Sequence, residues 1–194
     1  MPISDQDIRD ALTSYLAWHP GESAALAEAL RVLATRAGFV SRVNFPMHVT
    51  LGALLVRRGT EILLIRHRAY DLTLQPGGHA EPEDPTLVAG ALREMAEETG
   101  VDPAAVRWVS EVPAYIEYGM VPARPDKGEP AHHHLDIGFL FATDDAEIGQ
   151  IQLEEVNAAA WHPLSEVEVH LGPRIARAIA DAGPLDRTIP RSTS

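Results

Sequence analysis

Between residues 76 and 101 the chain reads Pro76-Gly77-Gly78-His79, a short acidic loop, and then Arg93-Glu94-Met95-Ala96-Glu97-Glu98-Thr99-Gly100-Val101. A helix carries side chains three and four residues apart on one side, so Glu94, Glu97 and Glu98 present three carboxylates to one patch of space. Three adjacent anions repel one another, and a cation among them relieves the repulsion. Hard divalent cations such as Mg²⁺ or Mn²⁺ prefer oxygen ligands, take few carboxylates and complete their shells with water and phosphate oxygens. The feature therefore constrains a local fold, a glycine turn facing a helix, together with the chemistry that helix supports.

The same helix has an apolar side. Val88, Leu92, Met95 and Thr99 follow the i, i+4, i+7, i+11 spacing of a buried stripe, and the three glutamates lie off it. Asp84 suits the N-cap, Pro85 the first helical position and Gly100 the end, so the helix is predicted over residues 85–99. Gly90 sits inside it at a cost of about 1 kcal/mol relative to Ala. Such a glycine either marks close approach by a neighbouring element or is merely tolerated.

These residues resemble the signature of the Nudix (MutT-like) hydrolases, G-x5-E-x7-R-E-U-x-E-E-x-G-U with U apolar. Gly78, Arg93, Glu94, Met95, Glu97, Glu98, Gly100 and Val101 supply it. Between Gly78 and Arg93 the chain has one residue more than the pattern demands. The first signature glutamate thus has no unique counterpart: Asp84 fits the count forward from Gly78, and Glu83 fits the count back from the arginine only loosely. The loop 81–85 is expected to absorb the extra residue, with Asp84 committed to capping.

The resemblance implies an α/β/α sandwich with a mixed sheet. It implies a metal-dependent hydrolase that cleaves the pyrophosphate bond of a nucleoside diphosphate linked to another moiety, or of a related nucleotide. Mg²⁺ or Mn²⁺ would be the cofactor, held by the Gly78 carbonyl, Glu94, Glu97 and Glu98. Glu94, Arg93 and Glu98 form the implied catalytic set, Glu94 as ligand or proton acceptor for the attacking water and Arg93 orienting carboxylates. Some family members use a further glutamate from a later loop, and Glu154 and Glu155 are the nearest here. The rival reading is a module of the same fold that binds a nucleotide-like ligand without turnover; the intact Glu94, Glu97 and Glu98 weigh against it. An acidic protein-interaction domain is a third reading. No downstream motif of the NADH type and no upstream motif of the coenzyme A type is recognisable.

Composition narrows the classes. The 194 residues are 45% hydrophobic with a mean hydropathy of −0.09, enough for one sizeable core. A formal charge of −12 argues against duplex nucleic acid as a partner and for a small phosphorylated substrate, with bound metal and local arginines inverting the field. The chain has no cysteine, which removes disulfides, thiolate metal sites and the cysteine-using isomerase branch of the superfamily. No apolar run suits a membrane span and the opening residues lack a secretory pattern, so the expectation is cytoplasmic and without a membrane.

Three zones follow: an N-terminal helical extension over 1–40, a Nudix hydrolase domain over 41–185 and a tail over 186–194. In the first, Ser4 caps a stripe of Ile8, Ala11, Leu12, Tyr15 and Leu16, His19-Pro20-Gly21 breaks it, and Leu26, Leu30, Leu33 and Ala37 continue it as a hairpin. This segment adds packing surface, a dimer contact or a lid, which leaves a homodimer open. From Met47 the period becomes that of strands: 49–56, a turn at Arg57-Arg58-Gly59-Thr60, then 61–65, with further strands at 106–109, 115–118 and 134–142. A Pro/Gly-rich excursion over 121–130 is expected to be mobile. Ala159 to Val167 is expected to pass from strand to short helix, and a last helix lies near 174–182.

Arg66 and Arg68, at the end of the second strand, are the nearest cations to the glycine turn and are candidate phosphate contacts. His79 is set either to orient the turn or to touch phosphate. In the run His132-His133-His134, alternation along a strand lets only His132 and His134 share a metal. The favoured reading is a structural or solvent-facing cluster, with substrate contact by His134 or Asp136 as the alternative. Tyr118 reads as core.

Overall fold

The protein is described by a computed structural model covering residues 2–68, 71–125, 128–183 and 185. The tail expected over 186–194 lies outside the described residues, as do 126 and 127 of the excursion expected to be mobile.

Helix α1 (Asp5–Trp18) starts where Ser4 and Asp7 form a reciprocal capping box, which satisfies two of the free N–H groups of the first turn. Helix α2 (Ala27–Thr35) follows the Pro20–Glu22 turn. It ends at Thr35, so Ala37 lies beyond the stripe expected of it. Ile8, Leu12, Tyr15, Leu26 and Leu33 are all buried, in the same core as the sheet.

Strand β1 (Met47–Arg57) is the spine of an eight-stranded mixed sheet. It turns through Arg58-Gly59-Thr60 into β2 (Glu61–His67), but hairpin pairing is confined to Val56↔Ile62 and Arg57↔Glu61. Farther along, the same edge of β1 is taken by β4 (Gly77–His79), with Thr50↔His79, Leu51↔Gly78 and Gly52↔Gly77 in antiparallel register. The other edge pairs in parallel with β7 (His132–Thr143) over the whole of β1, from Met47↔His133 to Arg57↔Thr143. Strands β3 (Leu72–Leu74) and β8 (Val156–Pro163) flank β2. β5 (Arg107–Trp108) and β6 (Tyr115–Val121) share the other edge of β7.

Alternation along β1 divides the protein into layers. Met47, Val49, Leu51, Ala53 and Leu55 enter the core that holds α1, α2 and α3 (Leu87–Thr99), while Leu54 and Val56 enter a second core closed by α4 (Val167–Asp181). A strand buried on both faces reads as a continuous apolar run, as 49–56 does. Helix α4 is broken at Gly172 (φ 82°), ahead of Pro173, so the helix expected near 174 is its second segment. The architecture is the expected α/β/α sandwich. Among the described residues no helix is long and apolar enough to cross a membrane.

Candidate active site

The signature helix starts later than its sequence suggests. Thr86, rather than Asp84, is the N-cap of α3 and accepts from the Ala89 N–H, and Gly100 closes the helix at φ 66°. Asp84 is thereby released, and it is 4% exposed. Its two carboxylate oxygens accept from Arg93 Nε at 2.9 Å and Nη2 at 3.0 Å, and one also accepts from the Glu81 N–H. Asp84 therefore holds the place counted forward from Gly78, and the extra residue falls after it, at Pro85-Thr86. Glu83 is exposed.

Arg93 fastens the loop to the helix. Besides Asp84, it donates through Nη2 to the His79 carbonyl and through Nη1 to Glu94 and Glu97. The planar guanidinium has five donors in a fixed fork, which suits this multiple role. All of these partners are protein groups that line the turn.

The three glutamates, expected on one patch of space off the buried stripe, differ in setting. Glu94 and Glu98 are 9% and 1% exposed, as buried as the apolar stripe, whereas Glu97 is exposed. The reason is β4, which lies over this side of α3. The Gly77 N–H donates to Glu98 Oε2 at 2.8 Å, and a Cβ on Gly78 would stand 2.5 Å from Glu94 Oε2, so any larger residue there would have to displace that carboxylate. Gly90 is a second close approach: a Cβ there would meet Leu51 and Asp84.

Burial pushes the Glu98 carboxyl up to about 8, with the charges of Glu94, Glu155 and Glu97 adding to the effect against the Gly77 hydrogen bond. Burial likewise pushes Glu94 up to about 7, although Arg93 beside it works the other way. At Asp84 burial is outweighed by the hydrogen bonds from Arg93 and Glu81, and its pKa falls below the ordinary value. Asp84 thus stays an anion paired with Arg93, while the carboxyls of Glu94 and Glu98 lack a full counter-charge and are driven toward the protonated form.

A family profile described as NUDIX domain matches residues 46–182. The chain belongs to the NUDIX family. It is 30% identical over 145 residues to a Bos taurus protein described as m7GpppN-mRNA hydrolase NUDT17, covering 68% of this chain and 44% of that protein. The chain thus spans less than half the length of this curated relative. An Ap4A hydrolase from C. elegans superposes with a TM-score of 0.52 at 17% identity, over 68% of this chain and 92% of that one. A NUDIX-family hydrolase from Clostridium perfringens gives 0.51 at 17% identity, over 70% and 95%. These likenesses show the fold. Hydrolysis of phosphoanhydride bonds is the activity at the level of the family.

Within the NUDIX domain the remaining residues singled out by sequence fall into two groups. Arg66 is paired with the exposed Asp71 at 2.8 Å, and Arg68 donates to the Leu153 carbonyl at 2.9 Å, so both brace the neighbouring segments. Glu154 and Glu155 lie exposed on the loop before β8. Of the two, Glu155 is the one whose charge raises Glu94 and Glu98. Tyr118 is partly buried and stacks on His133 at 4.3 Å.

Two groups of candidate ligands converge within 4.8 Å among the described residues, and both contain histidine: His48 with His79 and His134, and His162 with Glu166 and His170. Donor groups suited to divalent cations therefore exist, yet the three glutamates do not converge to that degree; Glu94 and Glu97 are drawn toward Arg93. The pairing of His132 with His134 is present as a 3.2 Å contact between Nε2 atoms, but the larger group is the one with His48 and His79. It rests on register: β1 places His48 opposite His134, and Thr50 opposite both His79 and Asp136. Asp136 is half-buried, accepting from Tyr115 and Thr50, and burial lifts it to about 6. His48 was not legible as a site residue. Nothing local marks it, and only the strand pairing reveals its partners.

Proposed function

We propose that this chain is a metal-dependent hydrolase cleaving the pyrophosphate bond of a nucleoside diphosphate linked to another moiety, or of a related nucleotide. One observation carries the reading: two buried carboxylates, Glu94 and Glu98, are pressed against the Gly77-Gly78 turn and raised in pKa, with Arg93 holding turn and helix together. Two buried, poorly neutralised carboxylates are costly unless a cation serves them. The donor set of Glu94, Glu97, Glu98 and the Gly78 carbonyl is all oxygen, which suits Mg²⁺ or Mn²⁺. When bound, such ions supply polarisation of phosphoryl oxygens and a lowered pKa for attacking water.

The residues of the chain then have separate tasks. Gly77 orients Glu98 through its N–H, Gly78 leaves room for Glu94, and Arg93 with Asp84 fixes the separation between turn and helix. Glu94 or Glu98 takes the proton of the attacking water onto a carboxylate oxygen. Glu155 is the later glutamate favoured to assist, since its charge already reaches both. The relatives named above put a diadenosine polyphosphate and a capped dinucleotide among the substrates to try.

Phosphate release should be assayed over a panel of nucleoside diphosphate derivatives, including those two, with Mg²⁺ and with Mn²⁺. Turnover of at least one substrate, abolished by Glu98→Gln, supports the hydrolase. Ligand-induced thermal stabilisation with no turnover under either metal would instead establish a binding module.

A further inference from the structure

Beside the carboxylate site lies a second group whose chemistry differs. The rings of His48, His79 and His134 stand 4.7 to 5.3 Å apart between centroids, and one ligand nitrogen of each lies within 4.8 Å of the other two. They come from three strands, β1, β4 and β7, so a rigid sheet positions them rather than a loop.

His48 supplies an independent sign. Its residue is 2% exposed, and its Nε2 is buried with no hydrogen-bond partner. The opposite nitrogen, Nδ1, is 3.4 Å from the Asn44 carbonyl. A carbonyl can only accept, so Nδ1 carries the proton and Nε2 keeps a lone pair in a place where nothing in the protein donates to it. An orphaned buried polar atom is costly. A ring nitrogen backed by a carbonyl, with its other nitrogen unpaired, is also the arrangement found in metal-binding histidines.

The neighbouring histidine extends this logic. His132 Nδ1 is 2.8 Å from the Pro130 carbonyl, so its Nε2 accepts and the proton of the contact comes from His134 Nε2. That leaves His134 one lone-pair nitrogen, as His48 has. Burial lowers the pKa of His48 and His134, with the mutual proximity of the rings adding to the effect. Neutral imidazole is the form in which histidine binds metal, and the hydrogen bonds of His48 and His134 leave each such a lone-pair nitrogen. Arg42 and Arg124 add positive potential nearby and Glu129 offsets it.

We propose that His48, His79 and His134 form a second metal site, separate in chemistry from the carboxylates of α3 and selective for a borderline transition-metal ion such as Zn²⁺. Three imidazoles satisfy the nitrogen preference of Zn²⁺ and are poor ligands for Mg²⁺, and three protein ligands leave the fourth position for water or a phosphate oxygen. His79 immediately follows Gly78, so an ion there adjoins the turn that faces Glu94. The other converging group, between the end of β8 and the first turns of α4, lacks an orphaned atom, since Glu166 already contacts both His162 and His170.

The test is metal content without reference to turnover. Metal-free protein is equilibrated with Zn²⁺, desalted and analysed by atomic emission, and Co²⁺ is added in parallel to read the visible absorption of a tetrahedral nitrogen site. His48→Gln and His134→Gln are each expected to retain one equivalent fewer than wild type and to lose the Co²⁺ band, while Glu98→Gln retains the wild-type amount. A His170→Gln control subtracts any ion held by His162, Glu166 and His170. Thermal unfolding without metal verifies the fold of each variant, and the half-buried His134 decides the matter alone if His48→Gln does not fold. No retained zinc in wild type, equal retention in the histidine variants, or loss only in Glu98→Gln overturns the proposal.

Discussion

The two sides of the Gly78-His79 peptide bury ionisable groups in opposite senses. On the helix side, Glu94 and Glu98 are acids raised toward neutrality; on the sheet side, His79 and His134 are bases depressed well below it. Desolvation is the leading cause in each case, because it disfavours whichever form carries charge. Hard oxygen donors and borderline nitrogen donors thus stand back to back across β4, each made receptive to a cation by the same exclusion of water. Their construction differs as well. The oxygen donors come from one helix and one adjoining turn, whereas the imidazoles come from strands far apart in the chain.

The largest effect that would break this comparison is catalytic. Glu98→Gln should lower kcat by more than about 100-fold, above the roughly 10–100-fold cost of losing a merely supporting residue near a metal. Retention of near-wild-type turnover would detach the helix side from the chemistry. His134→Gln should remove zinc retention while sparing Mg²⁺-supported thermal stabilisation, and loss of both together would merge the two sides into one site.

Arg93→Ala comes next, and its readout is stability. It leaves Asp84 buried with its principal counter-charge gone, a loss of about 3 kcal/mol for breaking a buried ion pair, measurable by urea unfolding. Gly78→Ala drives a methyl group into Glu94 and should displace that carboxylate, seen as a fall in Mg²⁺ or Mn²⁺ affinity by calorimetry.

The smallest effect is the sharpest in sign. In metal-free protein, carboxyls with raised folded pKa favour the native state fully below their ordinary value of 4.5, and that contribution is lost as pH rises toward about 8. Histidines with depressed folded pKa contribute above 6.5, and that contribution is lost as pH falls toward about 4 and 3. Thermal unfolding against pH should therefore show Glu98→Gln flattening the loss on the alkaline side and His134→Gln flattening it on the acid side. The same variant acting on both limbs would mean the two groups titrate as one.

The apolar run of β1, the cap at Ser4 and the acidic spacing of α3 were all readable because each depends on residues within a few positions of one another. Asp84 was misread as a cap for the same local reason: its position before Pro85 suits a cap, and nothing nearby shows that Thr86 can take over and release it to Arg93. The depth of Glu94 and Glu98 was equally hidden, since it arises from β4 lying across the helix and not from the helix itself.

The sequence alone determined the family, the signature residues and the layered class of the fold, because periodicity and motif spacing are properties of neighbouring residues. The tertiary structure decided which acid serves Arg93, how deeply the glutamates sit and that His48 meets His79 and His134. Those depend on strand register and on the water excluded when separate elements pack, and neither is written into any short stretch of chain.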